Sequence, residues 1–562
     1  MEMCGIVETL LEKRGIAGKD VESFLDPSLK RLVKASQIPG LSDAADVILP
    51  FVRDGRSIVV FGDYDCDGVC ASAILVMTLR RLGAKVEMFV PDRFTEGYGM
   101  TAASIERMLR EHQGVSLVVT VDCGITSAAE VKLLKDRGIA VVVTDHHLPP
   151  ETLPDCDALI DPKIPSQSAA AEELGAKNLC GAGVAFFLAN VLAAKATEAG
   201  MYGGEKFAAP LLVLAGIATV VDIVPLLGQN RILVANALKT FRSAAPVGLH
   251  ELLLRAQRRP VDLTSRDFGF LLGPRINAAG RMASAREAFD LLMAAGREEA
   301  RAHAFRVDAR NAERKSVENR MAEEALAKVL EESPDAVVVN GGGSGDDSCW
   351  HSGVCGIVAS RILDRYRVPV AVAVDGHGSV RAPEGYDVHA ALTECAHLLE
   401  RFGGHTAAGG FVVRDGMFEE FASGFRAACA AQRMKSAVAR PEGTVGEPEL
   451  WISPEDLTME LHEALSMMAP FGEGNPEPVF GLRNVTFSDV RLMGNNGKHA
   501  SFSFSERRIP RATWWNHGSD AEKLRAKSAS RFDITFTLDV SDWGGEEPHL
   551  ELRICEVGLS AV

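Results

Sequence analysis

Ile58-Val59-Val60-Phe61-Gly62-Asp63-Tyr64-Asp65-Cys66-Asp67-Gly68 carries an apolar run of strand character straight into three carboxylates. The construction recurs. Leu117-Val118-Val119-Thr120-Val121 runs into Asp122-Cys123-Gly124, and Val141-Val142-Val143-Thr144 into Asp145-His146-His147. A longer apolar run through Val220-Val221 stops on Asp222. In an open α/β sheet, ligands bind outside the carboxyl ends of parallel strands, so segments that stop on carboxylates aim them at one crevice. Carboxylates crowded in this way do not all stay ionised unless cations join them.

Outward from these segments the pattern alternates between strand and helix periods. It predicts an amphipathic helix over 69–82 closed by Gly83, a strand over 86–90, a helix over 101–112 and a strand over 116–121. A helix over 127–137, closed by Gly138, and a strand over 139–144 follow, which is the alternation of a parallel sheet. After Pro162 the chain turns mainly helical. The apolar stretch 208–221 is too short to cross a bilayer and reads as a buried helix. A long polar helix over 300–332 connects to a second strand-bearing unit that opens at Asp335-Ala336-Val337-Val338-Val339, with Gly341-Gly342-Gly343 as a loop. Beyond 445, short alternating runs such as Ala500-Ser501-Phe502-Ser503-Phe504, with Gly494-Asn495-Asn496-Gly497 as a hairpin turn, read as a small β-barrel. The expected architecture is α/β: a helical lead-in (1–48), a parallel-sheet catalytic domain (49–299), a connector helix (300–332), a smaller α/β domain (333–435) and an OB-like barrel (445–562).

The bulk numbers agree with such a chain. Its 562 residues exceed one core, and 47% hydrophobic with 24% charged residues excludes a mainly disordered protein. The start Met-Glu-Met-Cys-Gly lacks the basic and apolar regions of a secretory signal, so a cytoplasmic protein is expected. Eleven scattered cysteines form no metal ribbon or disulfide framework. The net charge of −16 disfavours a nonspecific nucleic-acid coat, although a local basic channel is compatible with it.

One aspartate after a strand is ordinarily a turn or helix cap. Four such run ends together with Asp-His-His instead supply the donors of hard divalent cations, and the imidazole shifts the balance toward Mn²⁺. Asp65, Asp67, Asp122, His146 and Asp222 form that mixture. Two ions roughly 3.5–4 Å apart, sharing Asp122, could activate a water for in-line displacement at phosphorus.

Asp-Tyr-Asp-Cys-Asp-Gly, Asp-Cys-Gly, Asp-His-His and the segment around Asp222 resemble the four motifs of the DHH phosphoesterase superfamily. Gly273-Pro274-Arg275-Ile276-Asn277, the segment from His351 to Arg361, Gly403-Gly404-His405 and Pro470-Phe471-Gly472-Glu473-Gly474-Asn475-Pro476 are similar to its single-strand-specific 5′ to 3′ DNA exonucleases, and the likeness spans nearly the whole chain. It departs at Cys66, where a smaller residue is usual, at Ala382, where serine is common, and in the glycine-rich 341–349 loop.

The resemblance implies a DHH domain, a smaller DHHA1-type domain and two ions, Mn²⁺ or Mg²⁺, held by Asp65, Asp67, Asp122, His146 and Asp222 with Asp63 beside them. It implies that His147 lies near the scissile phosphate, and that Arg93, Tyr98, Arg281, His351, Ser379, Arg381, Gly404 and His405 bind substrate. Arg93, Ser379 and Arg381 would take the 5′-terminal phosphate. Implied partners are single-stranded DNA and a single-strand-binding protein or helicase, for a monomer with no membrane and a role in DNA repair and recombination. Two rival readings are a DHH phosphodiesterase for short RNA or cyclic dinucleotides and a non-catalytic replication scaffold. Arg306, Arg310 and Arg314 are either a basic stripe along DNA or a face paired with Asp308, Glu313 and Glu318. Phe502, Phe504, Trp514 and Trp515 are either barrel core or stacking platforms.

Overall fold

The computed structural model describes residues 5–93, 95–97, 99–201, 208–329, 334–342, 350–433, 445–525, 530–541 and 548–560. The first layer is a five-stranded sheet of β1 (Ser57–Gly62), β2 (Lys85–Phe89), β3 (Val115–Val121), β4 (Ala140–Thr144) and β5 (Ala158–Ile160). Its order is β2-β1-β3-β4-β5 and every pairing is parallel. The chain leaves β1 in one direction for β2 and returns on the other side for β3, so β1/β3 is the point where the winding reverses. Ligands in such sheets bind there, and Asp63 and Asp122 are the first residues beyond those two strands.

The helix expected to be amphipathic from residue 69 instead spans Cys66–Arg81 and is buried around most of its girth. It is covered by the sheet on one side and by helices Gly181–Glu198 and Ala208–Val221 on the other, which leaves no solvent face. Ala208–Val221 occupies the predicted 208–221, and among the described residues no helix is long and apolar enough to span a membrane. All of its side chains from Leu211 to Thr219 are buried, and each buried Leu, Ile or Val contributes roughly 1.5–3 kcal/mol relative to exposure.

The long connecting helix is Arg297–Ala327. It is polar, as expected, with a narrow stripe including Ala304, Val307, Met321 and Ala322 buried against the elements it joins. It leads to a mixed sheet of β6 (Val337–Gly341), β7 (Val370–Val374), β8 (His377–Arg381), β9 (Leu399–Gly404) and β10 (Ala408–Val413), in the order β6-β7-β8-β10-β9. The glycine-rich stretch from 343 to 349 lies outside the described residues.

The third sheet contains β11 (Leu450–Trp451), β12 (Phe480–Val485), β13 (Phe487–Met493), β14 (His499–Phe504), β15 (Ala512–Trp514), β16 (Phe532–Ser541) and β17 (His549–Leu559), ordered β11-β12-β16-β17-β15-β14-β13. Only Thr486 separates β12 from β13. One continuous segment therefore pairs with β16 by its first half and with β14 by its second, which rolls the sheet into a barrel. Phe502, Phe504 and Trp514 are core, whereas Trp515 is 51% exposed with His499 4.7 Å from its ring. The N-terminal lead-in is divided: Val7, Leu10, Leu11 and Phe24 share one apolar cluster with Leu461, Phe480 and Phe532, whereas Ile38, Leu41, Ala45 and Ile48 pack into the core of the parallel-sheet unit.

Candidate metal centre

At the carboxyl end of β1 the chain turns directly into a helix, and Asp65 caps it by accepting from the N–H groups of Asp67 and Gly68 at 2.9 and 3.1 Å. A Cβ on Gly68 would stand 2.6 Å from the Asp63 carbonyl oxygen, so only glycine lets the turn close this tightly. Asp67, in the first turn, accepts from the N–H groups of Gly181 and Ala182 at 2.6 and 2.7 Å, a carboxylate set on the N-terminus of the next helix. Sequence reasoning missed that contact. It also missed Asn277, whose Oδ1 accepts from the Cys66 N–H at 2.7 Å and steadies the same turn. Both Asp67 and Asn277 fall in stretches that the family resemblance had already marked.

Asp122 follows β3 with φ +60°, a left-handed conformation that an aspartate tolerates better than bulkier residues. Its side chain lies against the Cα of Gly181, where a Cβ would be 2.6 Å from the Asp122 Cβ. Gly181→Ala should therefore weaken Mn²⁺ binding by about 10–100-fold in calorimetry although residue 181 binds no cation, the usual effect of disturbing a ligand's support. Unchanged affinity would show that the contact does not set the Asp122 position.

His146 Nε2 lies 3.0 Å from Asp122 and 3.7 Å from both Asp67 and Asp222. These are separations without hydrogen-bond geometry: both His146 ring nitrogens, Asp122 Oδ1 and Asp63 Oδ1 are buried without a hydrogen-bond partner. Donor atoms from Asp63, Asp65 and Asp122 converge within 4.8 Å, as do those of Asp67, His146 and Asp222, and those of Asp122, His146 and His147. Asp122 and His146 each belong to two of these groups. Buried donors aimed at one another without hydrogen bonds between them fit divalent cations, and the oxygen-rich set with one or two imidazoles fits Mn²⁺ or Mg²⁺.

The electrostatics agree. Burial, then Asp65, pushes the Asp63 carboxyl up to about 8, and burial, then Asp67, does the same for Asp222. Burial and Asp67 hold Asp122 well above the carboxylate range, and Asp67 rises to about 6. Burial and the neighbouring His147 lower His146 to about 3, which keeps it neutral and available as a ligand. His147 behaves oppositely. Burial would lower it, but Asp145 accepts from its Nδ1 at 2.7 Å and the ring rises to about 9. Asp145 also accepts from the N–H groups of Ile125, His146 and His147, so it fixes the whole Asp-His-His turn.

The substrate-contact candidates gather in two neighbourhoods. Arg93 lies over the Tyr64 ring at 4.5 Å, Arg281 Nη1 donates to the Gly353 carbonyl at 3.3 Å, and His351 Nδ1 accepts from the Gly353 N–H. Of these contacts, Arg281 to Gly353 joins the parallel-sheet unit to the second one. On the mixed sheet, Arg381 Nη2 and Ser379 Oγ lie 2.8 and 3.6 Å from where a Cβ on Gly356 would stand, at the start of helix Cys355–Tyr366. A serine, an arginine and helix-start amides suit a phosphate. Gly404 and His405 close the β9/β10 hairpin, where the His405 N–H is used by the Ala408 carbonyl and is no longer a phosphate donor. Tyr98 lies outside the described residues. Two of the stripe's three arginines are paired with acids, Arg310 with Glu287 and Glu313, and Arg314, buried, with Glu318, while the exposed Arg306 meets His303 and Asp308 serves Arg255 and Arg275 instead.

Comparison with known proteins bears on the whole chain. Family models match at 57–217 (DHH family, N-terminal domain), 317–431 (DHHA1 domain) and 449–556 (RecJ OB domain). The chain is 32% identical over 559 residues to the single-stranded-DNA-specific exonuclease RecJ of Bacillus subtilis, covering 98% of this chain and 67% of that one. It is 37% identical over 487 residues to that of Dickeya dadantii, covering 84% and 82%. The crystal structure of RecJ in complex with Mn²⁺ from Thermus thermophilus superposes with a TM-score of 0.81 at 30% identity, covering 99% of this chain and 76% of that one. With likeness at this level along most of this chain, in sequence and in fold, the chain belongs to the RecJ family of single-stranded-DNA-specific exonucleases.

Proposed function

We propose that the protein hydrolyses single-stranded DNA from its 5′ end and releases 5′-mononucleotides. The observation that carries this reading is the convergence of donor groups from four separate segments on Asp122 and His146. Two divalent ions held there, one by Asp63, Asp65 and Asp122 and one by Asp67, His146, Asp222 and the shared Asp122, would lower the pKa of a water and offset charge in an in-line displacement. His147, kept cationic by Asp145, donates to a non-bridging oxygen of the scissile phosphate as negative charge builds.

Arg93, Ser379 and Arg381 hold the 5′-terminal phosphate, with Arg281 and His351 between them and the cations. The two α/β units approach closely at Arg281–Gly353 and where Arg401 Nη1 comes within 3.6 Å of the Gly97 Cβ position, and a cleft between them that is narrow enough for one strand would exclude a duplex. Exposed Trp515, with Lys498 and His499 near it, offers a base-stacking surface on the barrel. The retained donors argue against a catalytically silent scaffold. The reading is completed by a cytoplasmic monomer acting in repair and recombination on strands presented by a single-strand-binding protein or helicase.

The test uses 5′- and 3′-labelled oligonucleotides with Mn²⁺ or Mg²⁺. Early release of the 5′ label as mononucleotide is expected, and release from 3′ ends or faster attack on duplex would overturn the reading. Arg381→Ala should raise KM for a 5′-phosphorylated strand by about 10–100-fold, in keeping with a charge-assisted contact of about 1.5–3 kcal/mol. A strand with a 5′-hydroxyl should lose much less, and equal losses on both would remove Arg381 from that role.

A further inference from the structure

The residue after Asp222 is strained. Ile223 has φ +57°, a conformation that is a genuine outlier for a β-branched side chain, and its side chain is 70% exposed, so its own packing offsets nothing. Backbone strain of this kind persists only where the surroundings over-determine it. The surroundings here come largely from the C-terminal unit.

A tight turn between helix Met459–Ser466 and β12 closes by two backbone hydrogen bonds between Gly472 and Asn475. From this turn the Glu473 carbonyl accepts from the Leu226 N–H at 2.8 Å. Gly474, itself at φ +69°, packs so closely that a Cβ would lie 3.0 Å from the Pro225 Cβ, and a Cβ on Gly472 would lie 2.7 Å from Leu226 Cδ1. Asn230 holds the loop from the other side, donating to the Pro225 carbonyl at 3.0 Å.

The turn is anchored in its own right. Asn475, 1% exposed, donates to the Met468 and Pro470 carbonyls at 2.9 Å and accepts from Arg14 at 2.6 Å. Arg14 in turn pairs with Glu449. The guanidinium of Arg231, on the helix that follows the loop, donates to the Phe24 and Ala469 carbonyls at 2.8 Å.

We propose that the Gly472–Asn475 turn is a positioning element for the metal centre: it holds the 223–227 loop in its strained form and thereby keeps the Asp222 carboxylate facing Asp67 and His146. The barrel unit thus completes the cation site as well as contacting nucleic acid. This rests on the reading of Asp222 as a cation ligand. Release of the turn lets Ile223 relax to an ordinary φ, which redirects the residue before it. The left-handed conformation disfavours an L-residue by roughly five- to thirtyfold in population, and glycine has no such preference.

The test is calorimetric titration of the full-length protein with Mn²⁺. Asn475→Ala should weaken binding by about five- to thirtyfold, and adding Ile223→Gly to it should restore most of the loss, because glycine holds the same φ without the brace. Gly474→Ala crowds Pro225 and Leu227 and strains the turn at φ +69°, should behave in the same way, and reports on the proposal even where Asn475→Ala does not fold. Wild-type Mn²⁺ affinity in the folded variants, or a loss that Ile223→Gly leaves uncorrected, overturns the positioning role. Asp222→Ala separates the two readings: if it leaves Mn²⁺ binding intact, the assignment of Asp222 fails, and if it abolishes binding while the turn variants do not weaken it, only the brace fails.

Discussion

Asp122→Ala is expected to remove divalent-cation binding and to lower strand cleavage by on the order of 10³-fold or more, since the group shared by both donor sets also sets the charge environment of the reacting phosphate. The same change should move the stability of the metal-free protein by little, because the relief of a buried polar group is set against alanine's poorer fit to φ +60°. Asp122 is buried with an unpartnered oxygen and holds its proton because burial and Asp67 disfavour the anion. Removing a buried group that lacks a hydrogen-bond partner relieves a cost of about 1–3 kcal/mol, set against the small cavity it leaves. Calorimetry with Mn²⁺, thermal unfolding with and without the ion, and oligonucleotide turnover together check this. An Asp122→Ala protein that still binds two ions, or that cleaves at the wild-type rate, contradicts the shared-ligand role.

The second large effect is a dependence of metal loading on pH. In the metal-free protein Asp63 and Asp222 carry carboxyl groups raised from 3.8 to about 8. A group whose folded pKa lies above its unfolded value contributes stability that is complete below the unfolded pKa and is lost as pH rises through the folded one. The metal-free Tm should therefore fall as pH rises from about 4 to about 8. Cations bind the ionised forms and must displace those protons, so the Mn²⁺-induced gain in Tm should grow over the same window. His146, lowered to about 3, has no proton to shed at working pH. Calorimetry near neutral pH in buffers of different ionisation enthalpy should register net proton release. A Tm gain independent of pH, with no proton release, would mean that the carboxylates are already ionised.

Much of this was legible in the chain because strand ends and carboxylates coincide in sequence. The β1, β3 and β4 runs each stop where a donor begins, and the buried helix before Asp222 is apolar throughout its length. What escaped was carried by contacts between distant segments. The Gly181 and Ala182 amides on Asp67 require a third helix to start at one place, which no local pattern encodes. Asn277 looks like one polar residue among many until Cys66 is set beside it. The helix beginning at Cys66 is expected to be amphipathic, whereas its burial on nearly every side depends on two later helices. The arginine series on the connecting helix has the right spacing for a phosphate track, and only Glu287 and Glu318 show that Arg310 and Arg314 are already paired.

On this reading, side chains remote in sequence hold two divalent ions side by side. Anomalous diffraction at the manganese edge from crystals grown with Mn²⁺ tests it most directly. Two peaks are expected, one among Asp63, Asp65 and Asp122 and the other among Asp67, His146 and Asp222, both lost in Asp122→Ala crystals. No anomalous peak at those six residues in the wild-type protein would contradict the account.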